Sequence, residues 1–357
     1  MKKTVLMLLM GMVVISNFSS LYANETNETS ALPENVSFTS DAIIFTGNAN
    51  VSLAEEVANY LGISLGKSIV NRFNDGEIQI SILNSVRNKN VYIIQSNCPS
   101  KNQSINDSLM ELYLMVRTIK RASAASITAV IPYYGYARQD RKSAARTPIS
   151  AADVALMLEV GGVDRVVSID LHCGQIQGFF HSIPVDNLYA GKMFTSYFAK
   201  KQLKNVVVVS PDAGGVSRAR QFIEDLAKVG ITSEMALVNK QRSQAGVVDS
   251  MSLIGDVENA DVIIIDDICD TGGTLVKAAQ LLKDSGAKRI FAAITHPVFS
   301  GKALKTIGDS IIDEMVISDT IPLREEIPAN IRIISVGPLL GEVIRRIETG
   351  ASVSELF

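Results

Sequence analysis

The sequence has little that would mark a nucleic-acid binder. Charged residues are 20% of the chain, aromatics 6%, and the formal net charge is only -3. There is no basic arm and no basic stripe with interleaved aromatics. Cysteine is scarce too. Cys98, Cys173 and Cys269 share no metal-ligand spacing, and an odd count makes a poor disulfide framework. The catalytic part therefore reads as a reduced, intracellular-type protein. No apolar run is long enough to cross a bilayer comfortably. The strongest, Val5 to Ile15, is short and follows Lys2 and Lys3, and the small residue Ala23 comes soon after. That order is the order of a secretory signal, although Leu21 stands where a small residue is preferred. Asn24 to Ser40 is polar and reads as a linker. The alternative is a start codon assigned too early, with the protein proper beginning near Asp41. The unpaired cysteines lean towards a cytoplasmic protein.

What is present is ample apolar content, 47% of 357 residues, enough for about two domains. From Asp41 onward short β-branched runs alternate with helical patterns. Strands are expected at 42–45, 91–95, 128–131, 165–169, 206–210, 262–265, 289–294 and 331–335. Helices are expected at 52–61, 106–122, 150–160, 190–200, 216–228, 274–285 and 341–348. Val206–Val209 and Val262–Ile265 are continuous apolar runs, as in strands buried on both faces of a parallel sheet. The pattern is doubly wound α/β. It occurs twice. Asn90–Gln95, a loop, a helix and Ala124–Ile131 have their counterpart in Asp261–Asp266, a loop, a helix and Gly286–Ile294. The expected organisation is a signal-like segment and linker over 1–40 and two tandem domains, 41–186 and 187–357.

The most informative segment is Val262-Ile-Ile-Ile-Asp-Asp-Ile-Cys-Asp-Thr-Gly-Gly-Thr274. A buried strand ends in Asp266 and Asp267; a turn holds Asp270, Thr271, Gly272, Gly273 and Thr274; a helix follows. In an open α/β sheet, ligands bind beyond the carboxyl ends of the strands. Glycines let backbone N–H groups approach closely, and a helix N-terminus favours an anion. The threonines add hydroxyl donors, so the expected ligand is a phosphate monoester. The paired aspartates are placed to accept hydrogen bonds from vicinal sugar hydroxyls. The plainer reading is an ordinary strand–turn–helix connection, which the length of the whole string disfavours. Gly62-Ile-Ser-Leu-Gly-Lys-Ser68 imitates a P-loop, but it is one residue short and follows a helix. It reads as a helix-ending glycine and turn.

The Asp266–Thr274 string resembles the ribose-phosphate loop of the type I phosphoribosyltransferase fold. Further strings narrow the resemblance to the ribose-phosphate diphosphokinases, the PRPP synthetases: Arg72-Phe-Asn-Asp-Gly-Glu77, Pro132-Tyr-Tyr-Gly-Tyr-Ala-Arg-Gln-Asp140, Asp170-Leu-His172, Ser210-Pro-Asp-Ala-Gly-Gly215 and Thr295-His-Pro-Val-Phe-Ser-Gly301. The likeness covers 42–357. It implies two phosphoribosyltransferase-like domains with mostly parallel sheets. It also implies transfer of the terminal diphosphate of ATP to ribose 5-phosphate, with Mg2+ as cofactor. As partners it implies a homo-oligomer, a hexamer in this family, with phosphate and ADP as regulators and no nucleic acid.

Residue by residue, Phe73, Asp75, Gly76 and Glu77 match the adenine-binding string. An aromatic face can stack on a purine, and an acceptor can take the exocyclic amine proton. A β-turn at Asn74-Asp75-Gly76 suits the same residues. Arg138 and Gln139 match contacts to ATP, although four cations among 138–146 also suit a solvated face. His172 matches a magnesium or ATP-phosphate contact. Asp212 is the better metal ligand chemically, because magnesium prefers oxygen. Lys240 and Arg242 match the catalytic lysine and its arginine, the latter also a ribose 5-phosphate contact with Asp266, Asp267 and 270–274. Without the resemblance they would read as solvated cations. The stretch 243–250 is polar and small enough to be a closing flap. Ala152, Gly174, the extra residue at His181–Ser182 and the weakly basic 244–250 depart from the family pattern and bear mainly on regulation. A phosphoribosyltransferase that consumes the product is a rival reading, and so is a catalytically silent regulatory subunit. The tandem copies and the Phe73–Glu77 string speak against the first. The full complement of Lys240, Arg242, His172, Asp212 and the 266–274 loop speaks against the second.

Overall fold

A computed structural model describes residues 41–241 and 250–356. Five parallel strands form the first sheet: β1 (Ala42–Thr46), β4 (Asn90–Ile94), β5 (Ser126–Ile131), β6 (Arg165–Ile169) and β7 (Val185–Leu188), adjacent in that order. Between β1 and β4 the chain makes helix α1 (Val51–Tyr60) and an antiparallel hairpin, β2 (Ser68–Arg72) and β3 (Ile78–Ile82), which is a sheet of its own. The crossover helices are α2 (Ile105–Arg121) and α3 (Ser150–Gly161), and α4 (Gly191–Ala199) follows β7.

The second sheet repeats this order. Strands β8 (Val206–Ser210), β11 (Asp261–Cys269), β12 (Arg289–Pro297), β13 (Glu314–Ser318) and β14 (Ile331–Ile334) are parallel neighbours. Helix α5 (Val216–Lys228) and the pair β9 (Ser233–Gln241) and β10 (Ser250–Ile254) lie between β8 and β11, as α1 and the β2–β3 hairpin lie between β1 and β4. Here the hairpin joins the sheet edge through β8. Helices α6 (Gly273–Asp284), α7 (Ala303–Gly308) and α8 (Gly337–Thr349) complete the copy. The boundary expected near Asp186 falls inside β7, and the sheets divide after Leu188.

Local chemistry explains the elements. Ser104 and Asp107 form a reciprocal capping box that starts α2, and Lys120 and Arg121 close it. All five residues of β8 are buried, as its unbroken valines require between two helical layers. Three expectations are corrected. Strand β11 runs on to Cys269, because β12 pairs with it as far as Pro297, so Asp266 and Asp267 lie within the strand and not at its end. Helix α8 starts at Gly337, four residues before the expected position. Pro338 suits a first turn, and Asp319 accepts the Val336 N–H at 2.8 Å. Strands β2, β3, β7, β9, β10 and β13 and helix α7 add to the expected set.

The two copies share one core. Phe194 and Phe198 of α4 meet Phe222 of α5 and Phe291 of β12, with Phe198 edge-on to the latter two. Leu339, Leu340 and Val343 of α8 join Leu53 and Val57 of α1 in the same cluster. The helices approach so closely that a Cβ on Gly341 would lie 2.3 Å from the Tyr60 ring. Apolar contact of this extent fixes one copy against the other, which matters because the site draws on both.

Candidate active site

A cavity of about 1010 Å³ opens where the carboxyl ends of both sheets face each other. The second copy supplies most of its wall: the 211–215 turn after β8, Arg218 on α5, Asn239 on β9, and 266–272 with Thr274 from β11 and α6. The first copy adds Arg138, Asp140, Arg141, His172, Cys173 and Gln175. Gly272 has φ +75°, a left-handed turn that a side chain would resist, and it releases the chain into α6. The N–H groups at the start of α6 thus sit beside the cavity, with Thr271 and Thr274.

His172 reaches the cavity through a strained turn. Asp170, just past β6, has φ +40°. Its carboxylate accepts the Ala190 N–H at 3.1 Å and the Thr295 hydroxyl at 2.6 Å. His296 Nε2 donates to the carbonyls of Ile169 and Asp170 at 3.0 and 3.2 Å. Burial holds His296 below the usual imidazole range, so it is a neutral strut. From this anchored turn His172 Nδ1 meets Asp267 Oδ2 at 2.7 Å, and that hydrogen bond draws the imidazole pKa upward. A second bridge joins the copies: Arg138 Nη1 donates to Asp270 Oδ2 at 2.7 Å.

The sequence reading missed Arg218. Its guanidinium spans the paired carboxylates, Nη1 to Asp266 Oδ1 at 3.1 Å and Nη2 to Asp267 Oδ1 at 3.1 Å. Burial and the neighbouring Asp267 charge push the Asp266 pKa up against this cation. Burial would raise Asp267 as well, but Arg218 and His172 overcome it and hold that carboxyl well below the ordinary range. The pair thus carries unequal affinities for a proton. The available signal was position: Arg218 lies one helical turn beyond the Asp212–Gly215 turn.

Asp212 Oδ1 accepts the N–H groups of Gly214 and Gly215 at 3.0 and 3.2 Å, fixing that turn at the cavity wall. No group of three His, Cys, Asp or Glu side chains placed to hold a metal occurs among the described residues. Magnesium commonly binds one or two carboxylates and completes its shell with water and substrate phosphates. Asp212 and His172 line the same cavity, and one carboxylate there suits an ion that completes its shell with water and phosphates. The thiols of Cys173 and Cys269 are pushed up to about 12, chiefly by burial, so neither wall cysteine is a thiolate nucleophile.

Among the sequence-expected residues, Arg138, His172, Asp212, Asp266, Asp267, Asp270, Thr271, Gly272 and Thr274 line this one cavity, and Gly273 opens α6 beside it. Gln139 does not line it; its Oε1 accepts from the Ser150 hydroxyl at 2.6 Å. Phe73, Asp75, Gly76 and Glu77 stand apart, at the exposed tip of the β2–β3 hairpin. Lys240 lies on β9 opposite Met251, and Arg242 falls outside the described residues together with 243–249.

Comparison with known proteins gives matching results for both copies. Residues 42–162 match the N-terminal domain of ribose phosphate pyrophosphokinase, and 229–357 match a phosphoribosyl synthetase-associated domain. The ribose-phosphate pyrophosphokinase of Campylobacter jejuni is 50% identical over 314 residues, 88% of this chain and 98% of that protein. That of Ralstonia nicotianae is 52% identical over 318 residues, 88% and 98% of the two chains. The crystal structure of phosphoribosylpyrophosphate synthetase from Mycobacterium smegmatis superposes with a TM-score of 0.79 at 36% identity, covering 87% of this chain and all of the other.

Proposed function

The chain belongs to the ribose-phosphate pyrophosphokinase family, and from that premise we propose how its residues divide the work. The enzyme makes 5-phosphoribosyl 1-diphosphate and AMP from ATP and ribose 5-phosphate, a step that feeds nucleotide biosynthesis. The observation that carries the assignment of roles is the single cavity in which the 266–274 loop of one copy meets Arg138 and His172 of the other.

Ribose 5-phosphate occupies the second-copy side. Its phosphate lies at the start of α6, where free N–H groups, Thr271 and Thr274 donate. Asp266 and Asp267, aligned by Arg218, accept from the ring hydroxyls. The ATP phosphates are assigned to the first-copy side, towards Arg138 and His172, and the adenine to Phe73, Asp75 and Glu77, which stand outside this cavity. The ribose O1 attacks the β-phosphorus in line, and AMP leaves. The protein does little covalent work in such a transfer; positioning and charge stabilisation supply the rate. Lys240 and Arg242 are the cations assigned to the transferring group. Asp212 and His172 are the residues that would hold magnesium, which would supply charge neutralisation when bound with the substrates.

The same reading carries homo-oligomeric assembly, a hexamer, and control by phosphate and ADP, which light scattering and initial rates with those ligands would test. No helix among the described residues is long and apolar enough to cross a membrane. The substrates are cytosolic metabolites, which supports a cytoplasmic location. The deciding experiment is AMP formation from ATP and ribose 5-phosphate by the purified chain. Absence of AMP under magnesium saturation would leave the silent-subunit reading standing.

A further inference from the structure

The β2–β3 hairpin poses a mechanical problem. It is a two-stranded sheet joined to neither large sheet, and such a unit is marginal by itself. Its tip carries Phe73, 52% exposed. The turn is internally tied: Phe73 N–H donates to Glu77 O at 2.8 Å, Gly76 N–H to Phe73 O at 2.9 Å, and Glu77 N–H to Asp75 Oδ1 at 3.1 Å. Those bonds set the shape of the turn. They do not set where the turn stands relative to the rest of the protein.

Val70, Ile80 and Ile82 pack the strands on the core of the first copy, and Arg72, the last residue of β2, extends that hold to the turn. Its Nη1 donates to Asp107 Oδ1 at 2.9 Å and lies 3.4 Å from Gly76 O within the turn. Its Nη2 is 4.0 Å from Glu111 Oε1. Asp107 and Glu111 are one turn apart on α2 and present one face to the hairpin. Glu111 is fully buried and accepts from Asn48 N–H at 3.1 Å, Asn48 Nδ2 at 3.0 Å, Gln95 Nε2 at 3.0 Å and Gln103 Nε2. Asn48 Nδ2 also donates to Val70 O of β2 at 2.9 Å. The turn is thus braced through Arg72 against a carboxylate anchored in the body of the first copy.

We infer that Arg72 is a positioning residue for the nucleotide: it holds the β2–β3 turn at the angle at which Phe73, Asp75 and Glu77 receive adenine. This rests on the adenine-binding reading of those three residues. A planar guanidinium fork can hold a carboxylate and a turn carbonyl together, whereas an ammonium serves as a point charge. Both partners of the Arg72–Asp107 pair are about a third exposed, 31% and 32%, so the pair adds little to global stability. Positioning and stability can therefore be separated by experiment.

The test uses Phe73→Ala, Arg72→Met and Arg72→Lys in the full chain. For each, the KM for ATP, the KM for ribose 5-phosphate, kcat and the thermal midpoint are measured. Arg72→Met should raise the KM for ATP roughly tenfold or more, the scale expected when a binding group remote from the chemistry is misplaced. The ribose 5-phosphate KM and the midpoint should hold, and Arg72→Lys should recover part of the loss. If Phe73→Ala leaves the ATP KM unchanged, the adenine reading fails and this inference fails with it. If Phe73→Ala raises it and Arg72→Met does not, the inference alone is overturned. An Arg72→Met protein with a lowered midpoint and both KM values raised together would make Arg72 a structural prop and likewise overturn it.

Discussion

Replacing Arg218 with methionine isolates the counter-ion of the aspartate pair. Methionine keeps much of the aliphatic stem and removes the charged fork. The guanidinium lies 3.1 Å from each carboxylate, and its side chain is 19% exposed against 24% for Asp266 and 5% for Asp267. Removing one partner from a fully buried ion pair costs about 3–5 kcal/mol. Partial exposure and the readiness of Asp266 to take a proton reduce this to about 2–3 kcal/mol. If about 2 kcal/mol of that is lost from ribose 5-phosphate binding, the KM rises roughly thirtyfold, at 1.36 kcal/mol per factor of ten. The ATP KM should change far less. The sign with pH is fixed as well. Asp266 already keeps its proton up to about pH 8, and without Arg218 the pair holds that proton to still higher pH, so the defect should widen on the alkaline side. Initial rates of AMP formation, with ribose 5-phosphate varied at saturating ATP, read the effect, and a thermal scan reads the stability cost. A lower midpoint with unchanged ribose 5-phosphate KM would refute the argument and reduce Arg218 to a structural brace.

Lys240→Ala should lower kcat roughly a hundredfold or more, as loss of one preorganised transition-state donor does, with both KM values nearly unchanged; intact turnover with raised KM would assign Lys240 to ground-state binding. Gly273→Val should fold normally, because the nearest atom to an added Cβ is Thr271 Oγ1 at 4.0 Å, yet its side chain would fill the phosphate's approach. Calorimetry should find ribose 5-phosphate binding abolished and ATP binding retained; unaltered sugar-phosphate affinity would sink the idea. Burial raises Asp319 from an ordinary 3.8 to about 6, so its ionisation is disfavoured in the fold. Stability from this group is full below the unfolded value and falls as pH rises through the folded one, by about 2–3 kcal/mol. Asp319→Asn should flatten urea-unfolding stability between pH 4 and 7, and a parallel pH dependence in both proteins would contradict this.

Much of the architecture was legible because burial leaves a strong local trace. Val206–Val209 and Val262–Ile265 had to be strands covered on both faces, and both are. The second copy was visible because the same strand, loop, helix and strand recur. Fainter elements were missed where the trace is weak. No residue of strands β2 and β3 is fully buried and they lean on α2, so their turn was readable but their pairing was not. Helix α8 was begun late because Gly337-Pro338 reads locally as a break, whereas tertiary contact with α1 and the Asp319 cap make it a start.

For the site, residue chemistry was readable from the sequence: a turn rich in glycine and threonine at 270–274, two adjacent carboxylates, and polar residues close to the carboxyl ends of strands. Those features are local, since a turn, a cap or a run of like residues is written in a few consecutive positions. Tertiary structure decided which of them meet. His172 touches Asp267 across 95 positions, Arg138 touches Asp270 across 132, and Arg218 lies between two aspartates 48 and 49 positions away. The first two distances are closed only when α1, α4, α5 and α8 bury one apolar core between the two copies; the third is closed within the second copy, where α5 lies against β11. Pairing of charges in this cavity is therefore a consequence of packing, within one copy and between the two, and no short stretch of the chain contains it.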